Sequence, residues 1–264
     1  MNVLHFAQRS DEWRARRTGK ATASRAVDVV ARGRYGEEAK TRRDYRGQLV
    51  VENLTDVPQD PRFVSWPMIR GREKEPAALA AYSARTGLAV QRCGFVEHDE
   101  LAAGCSPDGY VGAFEGIVEA KAPNTATHLA YLAARRLPPA YRPQVIHHLW
   151  ITDATWCDFV SFDDRLPARL ALFVHRVWRR DVALEIAAYD GLVRAFLAEV
   201  QAQVVTLSAL GPAAFFRAAP LEVAQRALTI ARATVAERER QPIPEPSTSR
   251  RYAWQPALGL AGRS

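Results

Sequence analysis

Ser106-Pro107-Asp108-Gly109, followed after a glycine-punctuated interval by Ile117-Val118-Glu119-Ala120-Lys121, is the stretch that decides how this chain folds. Residues 117–121 are apolar enough to form a strand, and period-two alternation sends Glu119 and Lys121 to one face while Val118 and Ala120 pack on the other. Gly109, Gly112 and Gly116 give the chain room to turn, so a hairpin that brings Asp108 beside Glu119 is expected. Paired carboxylates are hard oxygen ligands of the kind Mg²⁺ or Mn²⁺ takes. An Asp-Gly pair is also a common turn, and a lysine beside a glutamate is also a common ion pair. Against those plainer readings stands Glu119 itself, because an unpaired carboxylate in an apolar strand is costly to bury.

Of the 264 residues, 48% are hydrophobic, enough for a sizeable core and too many for a disordered chain. The formal charge of +7 favours a polyanionic partner, although a solvated basic surface gives the same modest excess. Arginine outnumbers lysine, and its planar fork suits phosphate oxygens as well as buried acids. Cys93, Cys105 and Cys157 are odd in number and too scattered for a disulfide framework or a zinc finger. They are also too few for an iron–sulfur cluster, which takes four. Residues 1–13 lack the apolar core of a signal peptide and no apolar run is long enough for a bilayer, so a soluble cytoplasmic protein with no membrane partner is expected.

Outward from the central stretch, helices are expected over residues 26–31, 37–53, 75–84, 125–135, 141–151, 182–207 and 220–238. Strands are expected over 88–97, 110–111, 117–121, 156–162 and 170–178. Thr22 and Ser24 are candidate helix N-caps, residues 58–67 read as a loop, and Gly87 is a natural helix stop. Pro76 is tolerated only in a first turn, which places Glu75 at a helix start or a distortion. The segments divide into a domain over 1–210, a helical extension over 211–240 and a disordered tail over 241–264.

Four blocks of residues resemble one family in the right order. They are Trp13 with Arg17, Gly19 and Thr22-Ala23-Ser24; Gly71-Arg72-Glu73-Lys74-Glu75-Pro76 leading to Tyr82; the Ser106–Lys121 core; and Tyr141-Arg142-Pro143-Gln144 running to Thr152. The core resembles the PD-(D/E)xK nuclease superfamily, and the other blocks narrow the likeness to the YqaJ-type viral recombinases, the lambda exonuclease family. The resemblance implies an α/β (α+β) fold with a central mixed β-sheet flanked by helices, a restriction-endonuclease-like core. It also implies Mg²⁺, with Mn²⁺ as a substitute, and 5′-to-3′ exonucleolysis of linear double-stranded DNA. By motif position, Asp108, Glu119, the main-chain carbonyl of Ala120 and Glu75 would hold metal. Lys121 would orient or activate water, Gln144 would line the cleft, and Arg17 with Ser24 would receive the terminal phosphate. A homotrimer and a single-strand annealing partner follow from the same resemblance. Asp99 is a candidate for a further acid that some relatives carry upstream.

Elementary chemistry agrees with these roles: phosphodiester hydrolysis needs a deprotonated water, neutralised nonbridging oxygens and a stabilised leaving oxygen, which metals at Asp108, Glu119 and Glu75 would supply. A lysine close to metal and phosphate is expected to have a depressed pKa, leaving both a general-base and an electrostatic role open. Each residue also has a plainer reading: Glu75 as a first-turn acid, Gln144 as a solvated helix residue, Arg17 as a surface cation and Ser24 as a cap. His147 and His148 point about 100° apart on a helix, so they favour structural roles over joint chelation. Trp150, Trp156 and Phe159 read as core. An endonuclease on the same core, or a DNA-binding scaffold without catalysis, are the alternative functions.

Overall fold

One chain builds two sheets and passes between them three times. The structure is a computed structural model that describes residues 1–59 and 66–210; everything below belongs to the unit Met1–Ala209. The strands are β1 (Asn2–Leu4), β2 (Ala21–Thr22), β3 (Val90–Gln91), β4 (Phe95–Glu97), β5 (Ala103–Cys105), β6 (Gly109–Val111), β7 (Gly116–Lys121), β8 (Trp156–Phe162) and β9 (Leu172–Trp178). The helices are α1 (Asp11–Arg17), α2 (Ala26–Val30), α3 (Lys40–Thr55), α4 (Trp66–Thr86), α5 (Thr125–Ala134), α6 (Arg142–Thr152) and α7 (Ala183–Ser208). Four strands form a sheet in the order β1-β4-β5-β2, and five form a second in the order β3-β6-β7-β8-β9. Both are mixed, β2 running parallel to β5 and β7 parallel to β8.

The expected hairpin is present. Gly109 pairs with Val118, Tyr110 with Ile117 and Val111 with Gly116, around a four-residue loop in which Gly112 takes a φ of 61°. Only glycine fits the start of β6, because a Cβ on Gly109 would lie 2.2 Å from Val90 Cγ1 on β3. Alternation along β7 divides the core as expected. Val118 and Ala120 pack with Ala78, Leu79 and Tyr82 of α4, while Ile117 joins Val145, Leu149 and Phe159 on the other side. Each fully buried side chain of this kind contributes about 1.5–3 kcal/mol.

Helix α6 is buried on every side from Val145 to Thr152, which explains its lack of an apolar stripe. A helix in that position can carry polar side chains only where partners await them. The first crossing, from β2 to β3, runs through α2, α3 and α4; the two short ones lie at residues 92–94, between β3 and β4, and at residues 106–108, between β5 and β6. Ser106-Pro107-Asp108 therefore spans the seam between the sheets.

Several sequence expectations need correction. Residues 88–97 form two short strands in different sheets, because the chain leaves one sheet for the other at Arg92. Of the two readings for Glu75 the helix start falls and the distortion stands: α4 begins at Trp66 and Pro76 lies inside it, with no N–H to give the carbonyl of Arg72. Pro67, assigned to a loop, is helical. Neither Thr22 nor Ser24 caps a helix; Thr22 ends β2, Ser24 sits in a 3-10 turn over Ala23–Arg25, and Arg25 precedes α2 without a side-chain cap. Strands β1, β2 and β5 were not expected. Gly87 does stop α4, at a φ of 73°. The helix expected at 220–238 and the tail from 241 lie outside the described residues. Among the described residues no helix is long and apolar enough to cross a membrane.

Candidate active site

Where β7 ends, an open cleft of about 840 Å³ is lined by Asp108, Ala120, Lys121, Gln144 and Glu75. The hairpin register, carried one residue further, sets Asp108 opposite Glu119, and the next N–H along, that of Ala120, donates to Asp108 Oδ2 at 2.8 Å. One oxygen of this acid is thus tied to the neighbouring strand and Oδ1 is left for other partners. Glu119 projects to the α6 side of the sheet and is 2% exposed. Its Oε1 accepts from Gln144 Nε2 at 2.6 Å and from the Lys121 ammonium, and its Oε2 meets His148 Nε2 at 2.8 Å. Lys121 also lies 5.4 Å from the centre of the Tyr141 ring.

These contacts separate the two acids electrically. Burial opposes ionisation of Glu119, but Lys121 and His148 outweigh it and hold its pKa at about 2. For Asp108 desolvation and then the charge of Glu119 dominate, and its carboxyl is pushed well above the ordinary carboxylate range. Burial likewise opposes the charge on Lys121, yet Glu119 and Asp108 prevail and raise its pKa above the usual lysine range. With only the two carboxylates beside it the shift at Lys121 is upward, whereas the expected depression belongs to a lysine with metal and phosphate alongside. A divalent cation between Asp108 and Glu119 would relieve their repulsion, and two carboxylates with a backbone carbonyl at Ala120 suit a hard ion that keeps waters. Among the described residues no three acidic, histidine or cysteine side chains converge as a metal cluster.

Glu75 lines the same cleft but is already partnered. Arg9 Nη2 reaches its Oε2 at 3.1 Å and the Arg92 guanidinium pairs with Oε1. Arg9 itself is a left-handed residue, with a φ of 72°, a conformation a non-glycine side chain adopts only where surroundings hold it. Arg17 lies in an adjoining cavity of about 500 Å³, with its guanidinium 3.9 Å above the Trp13 ring. Ser24, Arg9 and Arg72 line both cavities, so the cleft and the arginine pocket share a wall. Trp13 Nε1 donates to Ser106 Oγ at 2.8 Å, joining α1 to the seam that carries Asp108.

Asp99 stands apart: it is exposed and pairs with the amino group of Met1 at 2.7 Å, so it does not join the site. Trp150, Trp156 and Phe159 are core residues, as expected. His147 and His148 diverge as expected too, but His148 turns to Glu119. Its signal was in the sequence, since Gln144 and His148 are i and i+4 and must share a helix face. Arg9 and Arg92 left no such signal.

The YqaJ-like viral recombinase domain family matches residues 12–155. An alkaline exonuclease (LHK-Exo) from Laribacter hongkongensis has a similar crystal structure, with a TM-score of 0.67 and 38% sequence identity, covering 75% of this chain and 96% of that one. The same values hold for LHK-Exo in complex with dAMP. A phage related exonuclease from Haemophilus somnus 129PT shares the fold at a TM-score of 0.53 and 15% identity, over 70% of this chain and 96% of that one. No curated protein sequence matches the chain. With more than half its length in the family's domain and residues of all four sequence blocks lining one cleft, the chain belongs to the YqaJ-like viral recombinase family.

Proposed function

We propose that this protein is a metal-dependent exonuclease that degrades linear double-stranded DNA from 5′ to 3′ and leaves 3′ single-stranded tails for recombination. The observation that carries this reading is that Asp108, Lys121 and Gln144 line one cleft, with Glu119 bound to Lys121 and Gln144 behind it, beside an arginine pocket. Similarity to an alkaline exonuclease, solved also with the nucleotide dAMP, supports it. Asp108, Glu119 and the Ala120 carbonyl would hold the ion, Mg²⁺ with Mn²⁺ as substitute. Once bound, it supplies charge neutralisation at the phosphate and lowers the pKa of a water.

The chain's own groups do the rest. Lys121, charged and at the cleft wall, stabilises negative charge developing on the phosphate oxygens. Gln144 holds Glu119 Oε1 in place, so that ligand and ammonium keep a common geometry. Glu75 becomes a ligand for a second ion only when Arg9 and Arg92 release it, and the freed guanidiniums are then available to phosphates of the bound strand. Arg17 and Ser24 receive the terminal phosphate in the adjoining pocket. A homotrimer threaded by DNA and a single-strand annealing protein that takes up the product strand complete this reading.

Incubation with linear and with closed circular duplex, each with Mg²⁺ and with chelator, tests the assignment. Mg²⁺-dependent loss of the linear form alone is expected. Nicking of the closed circle would replace the exonuclease by an endonuclease on the same core.

A further inference from the structure

Three histidines are fully buried, and two of them are wired into the fold at both ring nitrogens. His128 bridges Ser161 Oγ at 2.7 Å and the Leu170 carbonyl at 2.8 Å. His147 bridges the Tyr189 hydroxyl at 2.7 Å and the Gly104 carbonyl at 3.0 Å. His148 differs. Its Nε2 meets Glu119 Oε2 at 2.8 Å, while its Nδ1 is buried with no hydrogen-bond partner among the described residues. Packing alone does not account for a histidine here, because an apolar side chain would fill the space without burying an unpaired nitrogen.

We propose that His148 is a positioning residue for Glu119. An ionised carboxylate only accepts, so Nε2 carries the proton and donates to Oε2. Gln144, one turn earlier on α6, holds Oε1, and the two donors together fix the carboxylate plane from a single helix. The final torsion of a glutamate is broad and roughly two-fold, so a carboxylate held at one end alone samples other planes. Oε1 is the oxygen shared with Lys121 and Gln144, both of which line the cleft, whereas Oε2 is anchored from the core side. Asp108 is treated in the same way, with Oδ2 anchored by the Ala120 N–H. Each acid therefore has one oxygen anchored by the fold, and Glu119 Oε1 is held beside the cleft by Gln144 and Lys121. This inference rests on the reading of Glu119 as a metal ligand, and loss of such an outer partner typically weakens metal affinity or activity by about 10–100-fold.

The test is Mn²⁺ binding to the full chain, followed by the paramagnetic resonance of the free ion, with Asp108→Ala marking the signal that belongs to this site. His148→Leu fills the space without a donor and is expected to weaken Mn²⁺ at least about tenfold, while His148→Gln, which keeps a donor, recovers most of the affinity. Melting temperatures recorded alongside separate lost metal affinity from lost fold, and His148→Asn, too short to reach Glu119, serves if the leucine variant does not fold. Mn²⁺ affinity in His148→Leu or His148→Asn within twofold of the wild type overturns the assignment. So does an equal loss in the glutamine and leucine variants. A wild-type chain that binds no Mn²⁺ at this site and leaves linear duplex intact sinks instead the metal-nuclease reading beneath it.

Discussion

The side-chain amide of Gln8 donates to the carbonyl of Pro107 at 2.9 Å, and also to the carbonyl of Cys93 at 3.1 Å. These carbonyls sit on the two short crossings between the sheets, so one side chain ties both together one residue before Asp108. Gln8→Ala leaves two carbonyls short of a donor and is expected to lower stability by about 1–2 kcal/mol in a urea melt. It should also lower the rate of duplex digestion, because the turn that aims Asp108 is no longer held. Unchanged stability and rate would show that the seam is held without Gln8.

Asp108 illustrates a conflict between stability and function. Desolvation and Glu119 push its pKa up, so the folded chain holds a proton that the unfolded chain has already released, and stability falls as pH rises from the ordinary carboxylate value through the raised one. At neutral pH Asp108→Asn removes that cost. Its melting temperature should equal or exceed that of the wild type, while digestion of linear duplex falls by more than about 100-fold, roughly 2.7 kcal/mol of transition-state stabilisation. Mg²⁺ should raise the melting temperature of the wild type and leave the variant unmoved. A variant that melts lower and digests normally would contradict both halves.

His147 sets a pH dependence of the fold. Burial, with His148 next to it, lowers its pKa from 6.5 to about 3, so below pH 6.5 the unfolded chain takes up a proton that the folded chain refuses. Stability is complete above pH 6.5 and falls with decreasing pH, by at most about 1.4 kcal/mol per pH unit from this group. Asp108 contributes with the opposite sign, so the informative quantity is the difference between wild type and His147→Gln. The variant should be less stable at pH 7, with a flatter decline between pH 6.5 and 5. Identical slopes would mean that His147 is charged in the fold or not buried.

Arg17 and Ser24 line one pocket next to the cleft that holds Asp108 and Lys121. If they receive a terminal phosphate, a 5′-phosphorylated duplex end is digested faster than a 5′-hydroxyl end, and Arg17→Ala reduces that preference by about 10-fold, the loss of one charge-assisted contact. Initial rates on the two kinds of end measure it. Equal rates on both ends in the wild type would remove the assignment.

The hairpin was legible because its signals are local: Asp108-Gly109, three glycines and the alternation of residues 117–121. Gln144 was legible by its place in a motif, and its partner by register. The first sheet was not, since β1, β2 and β5 are two or three residues long and pair across the chain, as Asn2 does with Glu97. Helix α4 was truncated in the reading because Pro76 resembles a first-turn residue, whereas packing of Ala78, Leu79 and Tyr82 on the sheet carries the helix through it. The arginines on Glu75 come from Arg9 and Arg92, which only the tertiary fold brings there. The upward shift at Lys121 was not legible for a related reason, because it depends on two carboxylates whose distance from it no spacing rule supplies.

The central claim is that Asp108 and Glu119, with Lys121, hydrolyse DNA from an end. Linear duplex labelled at either the 5′ or the 3′ terminus, incubated with Mg²⁺ and either the wild type or Asp108→Ala, tests it most directly. The account predicts early release of the 5′ label as mononucleotide, retention of the 3′ label on a lengthening single strand, and no release by the variant. Full activity of Asp108→Ala, or early release of the 3′ label, would contradict it.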